Sequence, residues 1–179
     1  MKKPRHFILM MLAIMSCIAV FASCSTRPEI GTKAAKKRSD QHLDRVLSAI
    51  QNKDILYLES LFSKKALSEV EDFDLGVQRL FAFFDGDVIS YEYQATGIDD
   101  SKRNGIRTTK KRWWYLVNTS AGEYLFFFLE YPRDESDPSN VGLYMLQVIK
   151  AEDKATLLDG GYTILYPGVY VPDEYFKEE

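Results

Sequence analysis

The sequence predicts an α+β domain, helices first and an antiparallel sheet after them, and three observations carry the prediction. Apolar residues recur at helical spacing up to residue 85, then change to alternation beyond Gly86. Turn-forming residues cut the alternating region into four segments of strand length. Residues 24–179 are near the commonest single-domain size, and a composition of 46% hydrophobic and 13% aromatic residues can fill a core. Helices followed by a run of strands fold as helices laid on one face of a sheet.

The first helix is expected over residues 40–52, where Leu43, Val46, Leu47 and Ile50 share one face. Asn52-Lys53-Asp54 breaks it, and Asp54 can cap a second helix striped by Ile55, Leu58, Leu61 and Phe62. A third is expected over about 72–85, with Phe73, Val77, Leu80, Phe81 and Phe84 inward and Gly86 as the stop. Gly76 weakens its first turn. Strands are expected at 88–96, 108–119, 123–131 and 143–150. Asn104-Gly105 and Ser120-Ala121-Gly122 suit tight turns, and Asp137-Pro138-Ser139-Asn140 closes a longer acidic loop.

Several of these residues carry a resemblance. Leu61-Phe62-Ser63 with Ala66-Leu67, then Phe84-Asp85-Gly86-Asp87-Val88-Ile89-Ser90-Tyr91, look like an uncharacterised family of Gram-positive lipoproteins. Asp134, Asp137-Pro138 and Val141-Gly142-Leu143-Tyr144 match it too, so that the likeness covers roughly residues 43–149. The resemblance implies a nuclear-transport-factor-2-like, or cystatin-like, cone in which helices pack into a strongly curved antiparallel sheet. It implies no activity, since the family is itself a domain of unknown function. The expected organisation is a signal peptide at 1–23, a basic tether at 24–39, the α+β cone domain at 40–152 and a C-terminal extension at 153–179 that packs on the sheet.

The N-terminus resembles the signal peptide and lipobox of a bacterial lipoprotein. Lys2, Lys3 and Arg5 precede an apolar run from Phe7 to Ala22, and Phe21-Ala22-Ser23 leads directly into Cys24. A spanning helix needs about 20 apolar residues, and this run is shorter. A basic start, a short apolar stretch and small residues before the cut are the pattern of a removable secretory signal. In the lipoprotein pattern cleavage falls between Ser23 and Cys24, and Cys24 takes a diacylglyceryl group on sulfur. Two acyl chains hold a protein stably where one does not. The expected location is therefore the cell membrane, lipid-anchored and facing the extracytoplasmic side. Cys17 lies within the signal and Cys24 carries lipid, which leaves the exported chain no disulfide, thiolate metal site or thiol nucleophile.

Charge is uneven along the chain. The whole carries −3, of which the signal contributes +3. Residues 25–38 contribute +4, with Arg27, Lys33, Lys36, Lys37 and Arg38 against Glu29, and the remainder is left at −10. Each cation beside an anionic membrane gains about 1 kcal/mol, while an acidic body is held off it.

Catalytic signatures are scarce. His42 is the one histidine after the signal, beside the apolar face of the first helix. The sequence offers no histidine pair for zinc, no GxSxG elbow, no phosphate-binding glycine loop and no dinucleotide fingerprint, so no catalytic residue, metal or cofactor is expected. The positive functional hint is an aromatic sheet. Tyr124, Phe126 and Phe128 point one way and Leu125, Phe127, Leu129 and Tyr131 the other, while Trp113, Tyr115 and Val117 oppose Trp114 and Leu116. A sheet wet on one side alternates apolar with polar. Either both faces are covered or one is a binding surface, and Trp113, Tyr115, Tyr124, Phe126 and Phe128 are its candidate residues. The C-terminal segment, a second copy forming a homodimer through the sheet, or a ligand could each supply the cover.

Two charge clusters complete the inventory. Lys102, Arg103, Arg107, Lys110, Lys111 and Arg112 beside Trp113 and Trp114 superficially suit nucleic acid, but the acidic body and the export signal argue against that partner. Asp134, Glu135, Asp137 and Asn140 offer oxygens of the kind calcium takes, without a glycine-pivoted ligand repeat. The expectation is a non-catalytic envelope binding or interaction module, with an unknown protein, peptide or envelope polymer as partner. The alternatives are a small-pocket enzyme of the isomerase or dehydratase type, and an occluding, immunity-type structural protein.

Overall fold

A computed structural model describes residues 28–158 and 165–177. The signal segment, Ser23 and Cys24 lie outside the described residues, as does most of the glycine-tyrosine stretch at 159–164. The chain divides at Ser39 into two units, and Asp40–Glu179 is the larger. In the smaller unit the stretch read as a tether is helical from Pro28. Proline is tolerated in a first helical turn, and the alanines and lysines that follow are strong helix formers. This helix, α1, runs Pro28–Gln51.

In the larger unit the second predicted helix, striped from Ile55 to Phe62, stops early as α2 (Ile55–Glu59), and a further short helix, α3 (Lys64–Glu69), follows it. Asp54 caps α2 by accepting from Tyr57 N at 2.9 Å, as its chemistry predicts. Ser63 caps α3 by accepting from Ala66 N at 3.1 Å. Between them the chain leaves the helix because Phe62 bridges Leu143 and Ser63 N donates to Leu143 O at 2.8 Å. That tertiary bond overrides the apolar periodicity through Leu61 and Phe62. Helix α4 spans Phe73–Phe83, with Asp72 accepting from Leu75 N at 2.9 Å, and Gly86 takes φ 82° just beyond it.

The sheet has five strands in the order β1-β2-β3-β4-β5. Strands β1 (Val88–Arg103), β2 (Ile106–Thr119), β3 (Glu123–Asp134) and β4 (Gly142–Lys150) form an antiparallel meander. Strand β5 (Gly168–Tyr170) joins β4 in parallel. Helix α5 is one short turn, Lys154–Leu157, ahead of it. The first hairpin is longer than its apolar pattern suggests, since β1 was expected to stop at Thr96 and β2 to begin at Thr108. Asn104 (φ 51°) and Gly105 (φ 85°) form the tight turn expected of them, and the strands continue up to it. The added arm is polar, and its ladder is held by ion pairs rather than by burial.

The main core lies between one face of the sheet and the helices. Leu43, Val46 and Leu47 of α1, Leu58 of α2, Ala66 of α3 and Val77 and Leu80 of α4 pack with Trp113, Tyr115, Phe126 and Phe128. A second, smaller cluster on the opposite face contains Phe127, Leu129 and Met145, with Trp114, Tyr131, Leu158 and Tyr170 against it. The C-terminal extension thus serves both faces. Val169 and Val171 enter the main core while Tyr170 reaches the smaller one.

Gly76 decides how closely β5 can approach. A Cβ on Gly76 would lie 2.6 Å from Val169 O, a backbone atom with nowhere to go. In an exposed helix Gly→Ala gains about 1 kcal/mol. Here Gly76→Ala is expected to lower stability by about 1–3 kcal/mol, the usual cost of an overpacked contact, as read by urea unfolding. An increase in stability would mean that β5 does not sit against α4.

Candidate binding groove

The five aromatic residues nominated from the sequence are all interior. Trp113, Tyr115, Tyr124, Phe126 and Phe128 are each 0% exposed and face the helices. Trp113 stacks on Phe128 with centroids 5.1 Å apart and planes 6° from parallel. The Tyr115 hydroxyl donates to Asp40 Oδ1 at 2.6 Å, and burial with Asp40 beside it pushes its pKa up, out of reach of proton transfer at neutral pH. Tyr124 accepts from Lys150 Nζ at 2.8 Å and from Asp85 N at 3.0 Å. In the described structure these side chains fill space between sheet and helices instead of offering a surface.

The lone helical histidine lies at the border of this core. His42 meets Trp113 edge-on at 6.0 Å, and its Nδ1 is 3.6 Å from Glu130 Oε2. Burial lowers its pKa, and the positive fields of Arg45 and Lys111 lower it further, so the ring is neutral at pH 7. A neutral imidazole beside a carboxylate can move a proton, but the Trp113 ring stands against it.

Both charge clusters are partly compensated from within. Arg107 pairs with Asp100 and Arg112 with Asp99 across the first hairpin. Arg133 pairs with Glu135 at 2.5 Å, and Arg107 N donates to Glu135 at 2.6 Å. Lys111 Nζ sits 4.4 Å above the Trp113 ring. A cation already held by a carboxylate has less to offer a phosphate, so Arg107 and Arg112 serve the hairpin ladder. In the acidic loop, Asp134 Oδ1 accepts from Ser136 N, Ser136 Oγ and Asp137 N at 3.1, 2.6 and 3.1 Å. Asp134 Oδ2 accepts from Asn140 Nδ2 at 3.0 Å. Asp137 accepts from Ser139 N at 3.1 Å and from Lys65 Nζ at 3.0 Å. The carboxylate oxygens that suggested calcium are turned toward hydrogen-bond donors and a lysine. They tie the loop together.

A larger open concavity than the one of about 360 Å³ beside the hairpin pairs lies along the outside of α4. One wall is the end of α3 and the start of α4, with Glu69, Glu71, Asp72, Leu75 and Arg79. The other is the C-terminal segment, with Tyr166, Pro167, Val169 and Tyr170. Together they enclose about 660 Å³, a volume typical of small-ligand sites. Arg79 Nη1 meets Asp173 Oδ1 at 2.6 Å and lies 5.3 Å from the Phe176 ring, tying α4 to the last turn of the chain. Tyr144 donates to Glu69 Oε2 at 2.7 Å, fixing one rim carboxylate. Tyr166 and Tyr170 stack at 4.0 Å, 7° from parallel, and burial with Tyr166 alongside pushes the Tyr170 pKa up to about 12. A second cavity of about 470 Å³ is lined by the same two tyrosines together with Met145, Gln147, Leu158 and Pro172. Leu75 and Tyr166 remain 46% and 38% exposed, apolar surface held open at the groove.

Sequence reasoning singled out none of the groove's walls as a site. The available signals were Gly76 inside a helix and the Tyr166-Pro167-Gly168 run, which read separately as a weak turn and a strand former.

A family model described as Domain of unknown function (DUF5104) matches residues 45–151. The chain belongs to this family. No curated protein matches it. The DUF5104 span begins within α1 and ends just past β4, close to the 43–149 expected from sequence. It takes in the α3–α4 wall of the groove and stops before the Tyr166–Val171 wall. The DUF5104 domain therefore supplies the scaffold, and the second wall is added by residues outside the matched span.

Proposed function

We propose that this protein is a lipid-anchored extracytoplasmic binding module that seats its ligand in the groove outside α4. The observation that carries the reading is a contrast between two places in the fold. The space between helices and sheet, where a nuclear-transport-factor-2-like cone would keep its pocket, is filled by Trp113, Tyr115, Phe126 and Phe128. The groove at α4 presents aromatic and acidic side chains to solvent around about 660 Å³. Helices on one face of the sheet support the cone-like reading of the domain, and the small residues before Cys24 support the anchor. Among the described residues no helix is long and apolar enough to cross a membrane. The enzyme reading rests on the His42–Glu130 pair, and it ranks second because the buried Trp113 ring stands against His42.

Photocrosslinking in intact cells tests both halves. Leu75→p-benzoylphenylalanine is expected to give a discrete adduct, and Leu56→p-benzoylphenylalanine, on α2, none. Equal adducts at both positions, or none at either, would remove the groove from consideration. Cys24→Ser is expected to move the protein out of the membrane fraction or leave its signal uncleaved. Membrane retention with normal processing would overturn the anchor.

A further inference from the structure

We propose that the groove takes a cationic, extended peptide segment. The proposal rests on the reading of the groove as the binding seat and adds the chemistry of the occupant.

Charge gives the first argument. Glu69, Glu71 and Asp72 stand on the rim, with Asp173 and Glu174 beside the C-terminal wall. The cation among them, Arg79, is engaged by Asp173. Glu69 accepts one hydroxyl and Asp72 one backbone N–H, so each carboxylate keeps acceptor capacity for a ligand. The rim lies on a body of net charge −10, which draws cations and turns anions away.

Aromatic geometry gives the second. The parallel Tyr166–Tyr170 pair makes a flat shelf between the two cavities, each of which it lines. Such a shelf holds ammonium and guanidinium groups over its π-face and also carries the aliphatic stem of a lysine.

An unsatisfied acceptor gives the third, independent of charge. Gln147 is 3% exposed and lines the second cavity. Its Nε2 donates to Leu157 O at 2.9 Å, which fixes the amide with oxygen as the free end. That Oε1 has no hydrogen-bond partner among the described residues. A buried carbonyl oxygen without a donor is costly, and the N–H groups of a peptide or a lysine ammonium are what it lacks. An anionic or purely apolar ligand would satisfy neither this oxygen nor the rim.

The test uses the full chain in detergent micelles and fluorescein-labelled pentalysine, with pentaserine and pentaglutamate as controls, read by fluorescence anisotropy. Pentalysine is expected to bind saturably and pentaglutamate not at all, with affinity falling as salt rises. Tyr166→Ala should weaken pentalysine about fivefold. Glu71→Gln should weaken it about threefold, and Glu92→Gln, an equal loss of charge on exposed β1, should leave it unchanged. Pentaserine binding as tightly as pentalysine, with loss in Tyr166→Ala, overturns the cationic class and leaves the groove standing. Equal effects of Glu71→Gln and Glu92→Gln with none from Tyr166→Ala mean diffuse attraction to an acidic body, and overturn both readings. Failure of every peptide to bind overturns the peptide proposal, and the Leu75 adduct then decides the groove.

Discussion

Phe126→Ala is expected to destabilise the protein by about 3–5 kcal/mol, the range for removing a large aromatic from a packed core. Phe126 is 0% exposed, meets Phe84 edge-on at 5.4 Å and lies over Phe128 at 6.4 Å. Its strand neighbours Tyr115 and Val148 are equally buried, so the space cannot close by a local collapse. A domain of this size has a total stability of about 5–15 kcal/mol, and this substitution removes much of it. Urea unfolding followed by tryptophan fluorescence measures the loss, with Ile89→Ala, on a 70% exposed side chain, as a near-neutral companion. A loss below about 1 kcal/mol at Phe126 would mean that the aromatic face is loosely packed, and would return it to candidacy as a binding surface.

Asp134→Ala is the second large effect, at about 2–4 kcal/mol, because it leaves several donors without an acceptor. The carboxylate is 8% exposed and gathers Ser136, Asp137 and Asn140 around itself, closing the connection from β3 to β4. Burial pushes its pKa up, but the hydrogen bonds from Ser136, Asn140 and the backbone of Asp137 outweigh that and bring it down to about 2 from 3.8. A folded-state pKa below the unfolded one stabilises the fold above the unfolded value, and that stability is lost as pH falls through the folded one. The window is therefore roughly pH 4 to 2, and the contribution about 1–2 kcal/mol after allowance for solvent at the loop surface. The gap between wild type and Asp134→Ala should narrow across that window. A gap that stays constant from pH 7 to pH 2 would show that the carboxylate's charge is irrelevant to the loop.

Much of the fold was legible because local chemistry and tertiary demand agree. Asp54 marks a helix start by its side-chain cap, Asn104-Gly105 a turn that needs positive φ, and the change of period at Gly86 the passage from helix to strand. The α2–α3 break was not legible, because the bond between Ser63 N and Leu143 O joins residues 80 apart. The polar arm of the first hairpin was missed since alternation searches look for apolar residues, and here Asp99, Asp100, Arg107 and Arg112 hold the ladder. The aromatic strands were read correctly as apolar on two faces, yet periodicity cannot say which neighbour covers a face. The groove was illegible for a related reason. Its walls come from residues about 90 apart in sequence, and neither wall carries a pattern of its own.

The parallel pairing of β5 with β4 has a consequence for the order in which this molecule is completed. The strand that closes the sheet lies C-terminal to β4 and docks on it, and the side chains of β4 are apolar on both faces. Until residues 168–171 have been synthesised and have docked, that edge is an unprotected template for another chain. A nick or truncation near the C-terminus would recreate the same exposed edge in a finished molecule.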